Sequence, residues 1–397
     1  MISAMSIALV VLLALFQSSR AILIPPPDTK THGFEVAVAQ FSLTDTAHKD
    51  PYMPTEDRKI MLSLFMPVNR TYCSYACQNS YMPPQTAQVA DQQFLLNATE
   101  GVFEQMEYMS CCGATMDIDA SKYPVVILEP HVDTSRFLYA NLARYMSANG
   151  AVVVLIDHPG DASIVQFPYS RKRSLATVYN RGNVALSNLS PINPWNGTVT
   201  QVLDMRTQDI KFALSQLGSV SLLKQQFPFL GFSSPLDTSS YSIVGHGLGG
   251  TVATSLSFSD KRVRFSINLS GTPPLLNTST RAAPIFFFGR ANFRRQDDIH
   301  WPTTWSHLTG PATEFDLQNS DIFDFSDLPI IVELAHNEGG MKHVQGKGLG
   351  GSGPWGNHAV KCFMEGVLKK ELLADESALN DCVGMFEGMV PYTGGAH

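Results

Sequence analysis

Residues 241–253, Tyr-Ser-Ile-Val-Gly-His-Gly-Leu-Gly-Gly-Thr-Val-Ala, constrain the fold of this chain more than any other stretch. A short apolar strand runs into a glycine-dense turn and then into the start of a helix. That is the setting of a nucleophile elbow, G-x-S-x-G, in which a strained turn lifts a serine oxygen above the edge of a parallel sheet. The frame here is Gly245-His246-Gly247-Leu248-Gly249, with Gly250 behind it, so Gly247 stands where the serine belongs. Glycine accepts the dihedrals of such a turn without strain. The turn can therefore persist while the attacking atom is gone. A dinucleotide-binding loop is the competing reading, and the position of the turn, far from any first strand of the chain, speaks against it.

An elbow needs a large sheet beneath it, and the composition can supply one. Of 397 residues, 44% are apolar and 16% charged. The balance of 28 basic against 35 acidic residues gives a net charge of -7. That balance excludes nucleic acid as a partner and argues against tight docking on anionic membranes. Residues 1–21 read as a secretory signal, with an apolar stretch at 7–16 and the small-residue run Ser18-Ser19-Arg20-Ala21 as a cleavage site. An uncleaved anchor is the alternative, but the apolar run is short for a span, and no later stretch is long enough to cross a bilayer. No stable membrane insertion is expected.

Secretion agrees with the acceptor sequons at Asn69, Asn97, Asn188, Asn196 and Asn277. Asn268-Leu-Ser also fits the pattern, but it falls at the end of a buried strand and is not expected to carry a glycan. Six cysteines suit an oxidising compartment. Cys73, Cys77, Cys111 and Cys112 are expected to cross-link the N-terminal segment, and Cys362 and Cys382 to staple the C-terminal helix. The adjacent pair Cys111-Cys112 does not match zinc-ligand spacing, so no metal and no cofactor are expected.

In chain order, residues 34–43 alternate like an antiparallel edge strand, with 60–67 as partner. Residues 81–112 read as loop plus short helix. Apolar runs at 123–129 and 151–156 read as buried strands, 263–269 and 283–288 as strands, and 313–319 as a further one. Helical spacing covers 134–149, 201–218 and 360–373. Alternating strands and helices imply parallel pairing with right-handed crossovers and functional loops at the carboxyl ends of the strands. The expected fold is α/β: a mostly parallel central sheet flanked by helices, with N-terminal antiparallel strands. Residues 22–397 are expected to form one domain with insertions at about 161–200 and 219–240.

Several short segments carry a resemblance. They are Leu43-Thr-Asp, Tyr81-Met-Pro-Pro, Ser135-Arg-Phe-Leu-Tyr, Ile156-Asp-His-Pro-Gly-Asp-Ala, Gly245-His-Gly-Leu-Gly-Gly, Ile267-Asn-Leu-Ser-Gly-Thr and Phe325-Ser-Asp-Leu-Pro. Together they resemble the secreted fungal α/β-hydrolases related to platelet-activating-factor acetylhydrolase. The resemblance runs through most of the mature chain and implies an α/β-hydrolase fold. It also implies metal-free cleavage of short acyl esters from phospholipids by a Ser–Asp–His triad.

This chain departs from that triad at each position. The serine falls on Gly247, the acid on Ser270 and the histidine on Ile322. The oxyanion loop, Pro-Gly-x-Gly in the family, reads Pro130-His131-Val132-Asp133. A serine nucleophile needs a base, and the base needs an orienting acid; glycine, isoleucine and serine supply none of these roles. The Leu248 backbone N–H remains as an oxyanion donor. His131, Asp133, His158, Asp161 and His246 all fall near carboxyl ends of strands and are the candidate cleft residues. As acid/base pairs they could support rearranged chemistry; as packing residues they would be structural.

Three functions follow. The first is a pseudohydrolase binding a lipid, ester or small metabolite. The second is an active carboxylic-ester or phospholipid-acyl hydrolase, or a non-hydrolytic enzyme, using rearranged His/Asp residues. The third is an interaction glycoprotein with a filled pocket.

Overall fold

The computed structural model describes residues 21–27, 32–98, 101–167, 177–180, 192–193 and 195–392. The expected signal sequence, apart from Ala21, and the sequon at Asn188 lie outside these residues.

Nine strands make the central sheet. In chain order they are β1 (Phe34–Asp50), β2 (Met53–Asn69), β3 (Val125–Glu129), β4 (Val152–Asp157), β5 (Tyr241–His246), β6 (Val263–Leu269), β7 (Ile285–Arg290), β8 (Ala312–Leu317) and β9 (Met389–Pro391). Their order across the sheet is β9-β8-β7-β6-β5-β3-β4-β2-β1. The six strands from β4 to β8 run parallel, while β1, β2 and β9 are antiparallel to their neighbours. This is the mixed, mostly parallel sheet of an α/β-hydrolase. β3, β4 and β5 are buried along their whole length. That is why β3 and β4 read as almost unbroken apolar runs: helices cover both faces of a parallel sheet.

The helices that matter here are α1 (Pro84–Phe94), α2 (Ala140–Ala148), α3 (Gly197–Leu217), α4 (Leu248–Ser259), α5 (Leu328–Asn337), α6 (Gly353–Leu373) and α7 (Ala378–Met385). Two large apolar clusters sandwich the sheet. One gathers α2, α5 and α6 with Phe286, Phe288 and Phe325; the other gathers α3 and α4 with Ile127, Val154 and Ile243. β6 matches its expected bounds. The β1–β2 hairpin is longer than its alternating core because polar residues 44–59 continue the ladder past the buried part.

Residues 81–112 depart from expectation. α1 is followed by a strand at Met106–Ala114, which pairs antiparallel with Cys73–Ser80. Two disulfides, Cys73–Cys111 and Cys77–Cys112, cross that pair. Cys73–Ser80 is polar and largely exposed, so its periodicity is weak, while Met106–Ala114 buries Met106 and Tyr108 in the core. The third bridge, Cys362–Cys382, ties α6 to α7. The stretch 161–200 holds a small antiparallel pair, Ile164–Gln166 with Thr177–Tyr179, and α3 begins at Gly197 behind an Asn196 cap. Within 219–240 lie a short helix, Val220–Gln226, and a strand, Gly231–Ser234. No helix among the described residues is long and apolar enough to cross a membrane. With three disulfides, this is compatible with a secreted protein.

Candidate functional site

β5 delivers the chain to the elbow. Gly247 follows at φ 54° and ψ -118°, and α4 starts at the next residue. Few side-chain-bearing residues tolerate that conformation. Two glycines bring the helix down onto the sheet: a Cβ on Gly249 would overlap the Glu129 carbonyl, and one on Gly250 the Asn268 side chain. The elbow's geometry is therefore built as the motif requires.

The space above it is occupied. A Cβ built on Gly247 would overlap Nδ1 of His131, and even Cγ of that imidazole would lie 2.7 Å away. His131 is fully buried. Its Nδ1 accepts the Leu248 N–H at 3.1 Å. Burial, reinforced by the Arg206 charge, pushes the pKa of His131 down to about 3. The ring is therefore neutral, and the backbone donor that would face an oxyanion is already engaged.

His246, the last residue of β5, lies with its ring centroid 5.1 Å from that of His131. Its Nδ1 meets the Tyr139 hydroxyl at 2.8 Å, and that hydroxyl also accepts the His131 N–H at 3.1 Å. Burial holds His246 well below the usual histidine pKa, with the neighbouring imidazole adding to the effect. The Ile322 backbone opposes this weakly, without hydrogen-bonding geometry to Nε2. Tyr139 is pushed above the ordinary phenol range by burial, which leaves its hydroxyl protonated.

The other two triad positions hold no acid and no base. Ser270 follows β6 at φ 55°, buried, with its Oγ meeting no partner among the described residues. Ile322 opens a 3-10 turn, Ile322–Phe325, fixed by reciprocal bonds between Asp321 and Asp324.

The remaining candidates do not join this group. Asp133, at φ 55°, turns to Asn180 and Gln93. His158 and Asp161 belong to a buried ion network after β4. Nδ1 of His158 meets Asp209 at 2.8 Å, and its Nε2 meets Glu129 at 2.9 Å. Asp161 accepts both Nε and Nη2 of Arg206, which also donates to the Pro130 carbonyl. Arg58 from β2 donates twice to Asp209 and once to Asp50. Burial lowers the pKa of His158, but the Glu129 charge and the two carboxylate contacts outweigh it and raise the pKa to about 9. His158 is therefore charged, with both nitrogens donating, and has no lone pair for catalysis.

The six candidates thus form an inner group on the elbow (His131, which accepts the Leu248 amide, and His246 beside it), an ion network next to it, and Asp133 at the rim. Reading the sequence misses Tyr139, Glu129, Arg58, Arg206 and Asp209. Only Tyr139 carries a signal, as the last residue of the Ser135-Arg-Phe-Leu-Tyr segment. Among the described residues no group of three or more His, Cys, Asp or Glu could hold a metal. The main cavities lie elsewhere; one of 460 Å³ runs between the tip of the β1–β2 hairpin and the start of α3. Of the sequons, Asn97, Asn196 and Asn277 are exposed and Asn69 half-buried, while Asn268 is buried and bonded to Thr254 and Gly271.

Comparison with known proteins agrees with this architecture. The chain is 25% identical over 340 residues to a probable 1-alkyl-2-acetylglycerophosphocholine esterase from Arthroderma benhamiae, covering 79% of this chain and 78% of that one. Among solved structures it superposes on a ferulic acid esterase from Streptomyces cinnamoneus with a TM-score of 0.65 at 19% identity, covering 90% of this chain and 94% of that one. At that identity the likeness shows the fold. Residues 52–334 match the family described as platelet-activating factor acetylhydrolase, isoform II, and the chain belongs to that family.

Proposed function

We propose that this chain is a secreted pseudohydrolase: an esterase-family protein, one domain over residues 22–397, that has given up serine hydrolysis. The observation that carries the reading is the exchange between Gly247 and His131. An imidazole fills the space of the missing serine side chain and takes the Leu248 amide. With Ser270 and Ile322 at the acid and base positions, no alcohol, imidazole and carboxylate stand in line at the elbow among the described residues. The Tyr139–His246 pair does not replace them, because the phenol is held protonated and no carboxylate backs the ring. Nothing favours the rearranged-hydrolase reading, since His158 and Asp161 are engaged in ion pairs. Of the ligands that the family suggests, the burial of His131, His246 and Ser270 favours the smallest.

The test uses purified protein with a short acyl ester and a serine-directed fluorophosphonate. No adduct and no turnover above about 10³–10⁴-fold over water are expected. Turnover abolished by the fluorophosphonate would overturn the proposal. A restored enzyme must carry His131→Gly beside Gly247→Ser, Ser270→Asp and Ile322→His, because the first change clears the space that the second needs.

A further inference from the structure

The cavity of 460 Å³ between the tip of the β1–β2 hairpin and the start of α3 falls in the size range of small-ligand sites, about 300–1,000 Å³. Its two walls differ. On the hairpin side the charges pair off: His48 meets Asp45 at 2.7 Å, and Lys49 meets Asp57 at 2.6 Å. Further in, Arg58 and Asp209 are buried and bonded to each other. On the α3 side, Gln201, Asp204 and Gln208 line the cavity from one helix face, and none meets a partner among the described residues. Two amides and a carboxylate offer donors and acceptors together. An anion would face the Asp204 carboxylate, and a cation would compete with Lys49 and Arg58 close by. A neutral polyhydroxyl ligand meets neither penalty.

The chain itself brings such a ligand to the rim. Asn196-Gly-Thr is an acceptor sequon at the start of α3, and Gly197 and Thr200 line the cavity. Asn196 and Thr198 are both exposed. Oδ1 of Asn196 caps the helix by accepting the Val199 N–H at 3.1 Å, and Nδ2 takes no part in the cap. A Cβ on Gly197 would meet nothing within 4 Å, so the backbone beside the amide is uncrowded.

We propose that Asn196 carries an N-linked glycan and that its first N-acetylglucosamine lies in this cavity against Gln201, Asp204 and Gln208. In the attachment, Nδ2 loses one proton and bonds to C1 of the sugar. The bond from C1 to a lipid-linked pyrophosphate breaks, and the pyrophosphate leaves with the electron pair. Pro51 and Met205 offer apolar surface to the acetyl methyl. This rests on the secreted reading and is independent of whether the elbow hydrolyses esters.

The protein secreted from a eukaryotic host is trimmed by endoglycosidase to one N-acetylglucosamine per site. It is compared with Thr198→Ala, which deletes the sequon and keeps the cap. Peptide mass spectrometry should find the sugar on Asn196 of the wild type alone, and the variant should melt about 1–3 °C lower. Alanine is a better helix former than threonine, so the helix itself would shift the melting point the other way. Asn196→Asp, which caps equally well, should repeat the loss. Gln201→Ala should lower the melting point of the wild type and leave that of Thr198→Ala unchanged. A bare Asn196 beside sugars at Asn69 or Asn277, or a sugar whose loss leaves the melting point unchanged, would overturn the proposal. A chain retained in the cell with no sugar at any sequon would break the secreted reading as well.

Discussion

Two neighbouring regions at the carboxyl edge of the sheet have been treated in opposite ways. Around His158, the charges of Arg58, Arg206, Glu129, Asp161 and Asp209 meet within hydrogen-bonding distance, and both imidazole nitrogens are spoken for. Around His131 and His246 both imidazoles are held neutral, and Nε2 of each meets no partner within hydrogen-bonding geometry among the described residues. The first region is scaffold: it clamps β2, β3 and α3 together below the loops. The second is the site itself, where residues could be exchanged without loosening the sheet. On the non-hydrolytic reading we propose, chemistry can be lost while the fold is kept, because the groups needed for each are different groups.

The sharpest break in the comparison is Arg206→Ala. It strands Asp161 and removes a partner of Glu129 in a region without water access. Removing one member of a buried pair costs about 3–5 kcal/mol, because the remaining charge is uncompensated. Urea denaturation of the variant should show that loss. A change below about 1 kcal/mol would mean the network is wetter or weaker than its geometry implies.

Next comes Gly247→Ser. The positive φ and the overlap with His131 together should cost about 2–4 kcal/mol. His131→Gly alone should also destabilise, by about 3 kcal/mol, because it opens a cavity and strands the Leu248 amide. The double variant should be more stable than the sum of the two losses, with a coupling of about 1–3 kcal/mol. Additive losses would show that the two positions do not share one space.

The same pair of positions marks how far the sequence could be read. The sheet was legible because buried parallel strands such as Val152–Asp157 are almost unbroken apolar runs. The vacancy at Gly247 was legible because the glycine frame around it is rigid. The strand at Cys73–Ser80 was not, since it is polar and largely exposed and is held by cross-links to Met106–Ala114. α5 was hidden as well: Pro329, at its first turn, reads as a break, although proline is well suited there. His131 was visible as a departure, yet its role was not, because filling a space is a relation between two distant residues. A histidine in place of a glycine at 131 and a glycine in place of a serine at 247 are each ambiguous alone; together they fit, because the His131 ring stands where a Cβ at 247 would be.

Acidity separates the regions with opposite signs. His158 has a raised pKa of about 9, so the stability it lends is fully present below about pH 6.5 and is lost as pH rises through 9. His131 has a lowered pKa of about 3, so folding resists its protonation, and stability falls as pH drops from about 6.5 toward 3. His158→Gln should flatten the alkaline limb of a stability profile, and His131→Phe the acid limb. If each variant flattened the other limb, the charge assignments made here would be reversed.

The smallest effect tests the joint within the elbow. Tyr139→Phe removes a hydroxyl that accepts from the His131 amide and meets Nδ1 of His246. The phenyl ring keeps its place between the apolar neighbours, so packing should survive. The cost should be about 1–2 kcal/mol, the value of a buried hydrogen-bonding group, with no change in ester turnover. The informative readout is the His246 ring. With the hydroxyl gone, nothing in the pair dictates which nitrogen carries the proton, and nitrogen chemical shifts should report a mixture of tautomers. A ring that stayed in a single tautomer would show that the Ile322 backbone, not Tyr139, sets it, and the elbow would then be wired from the loop after β8.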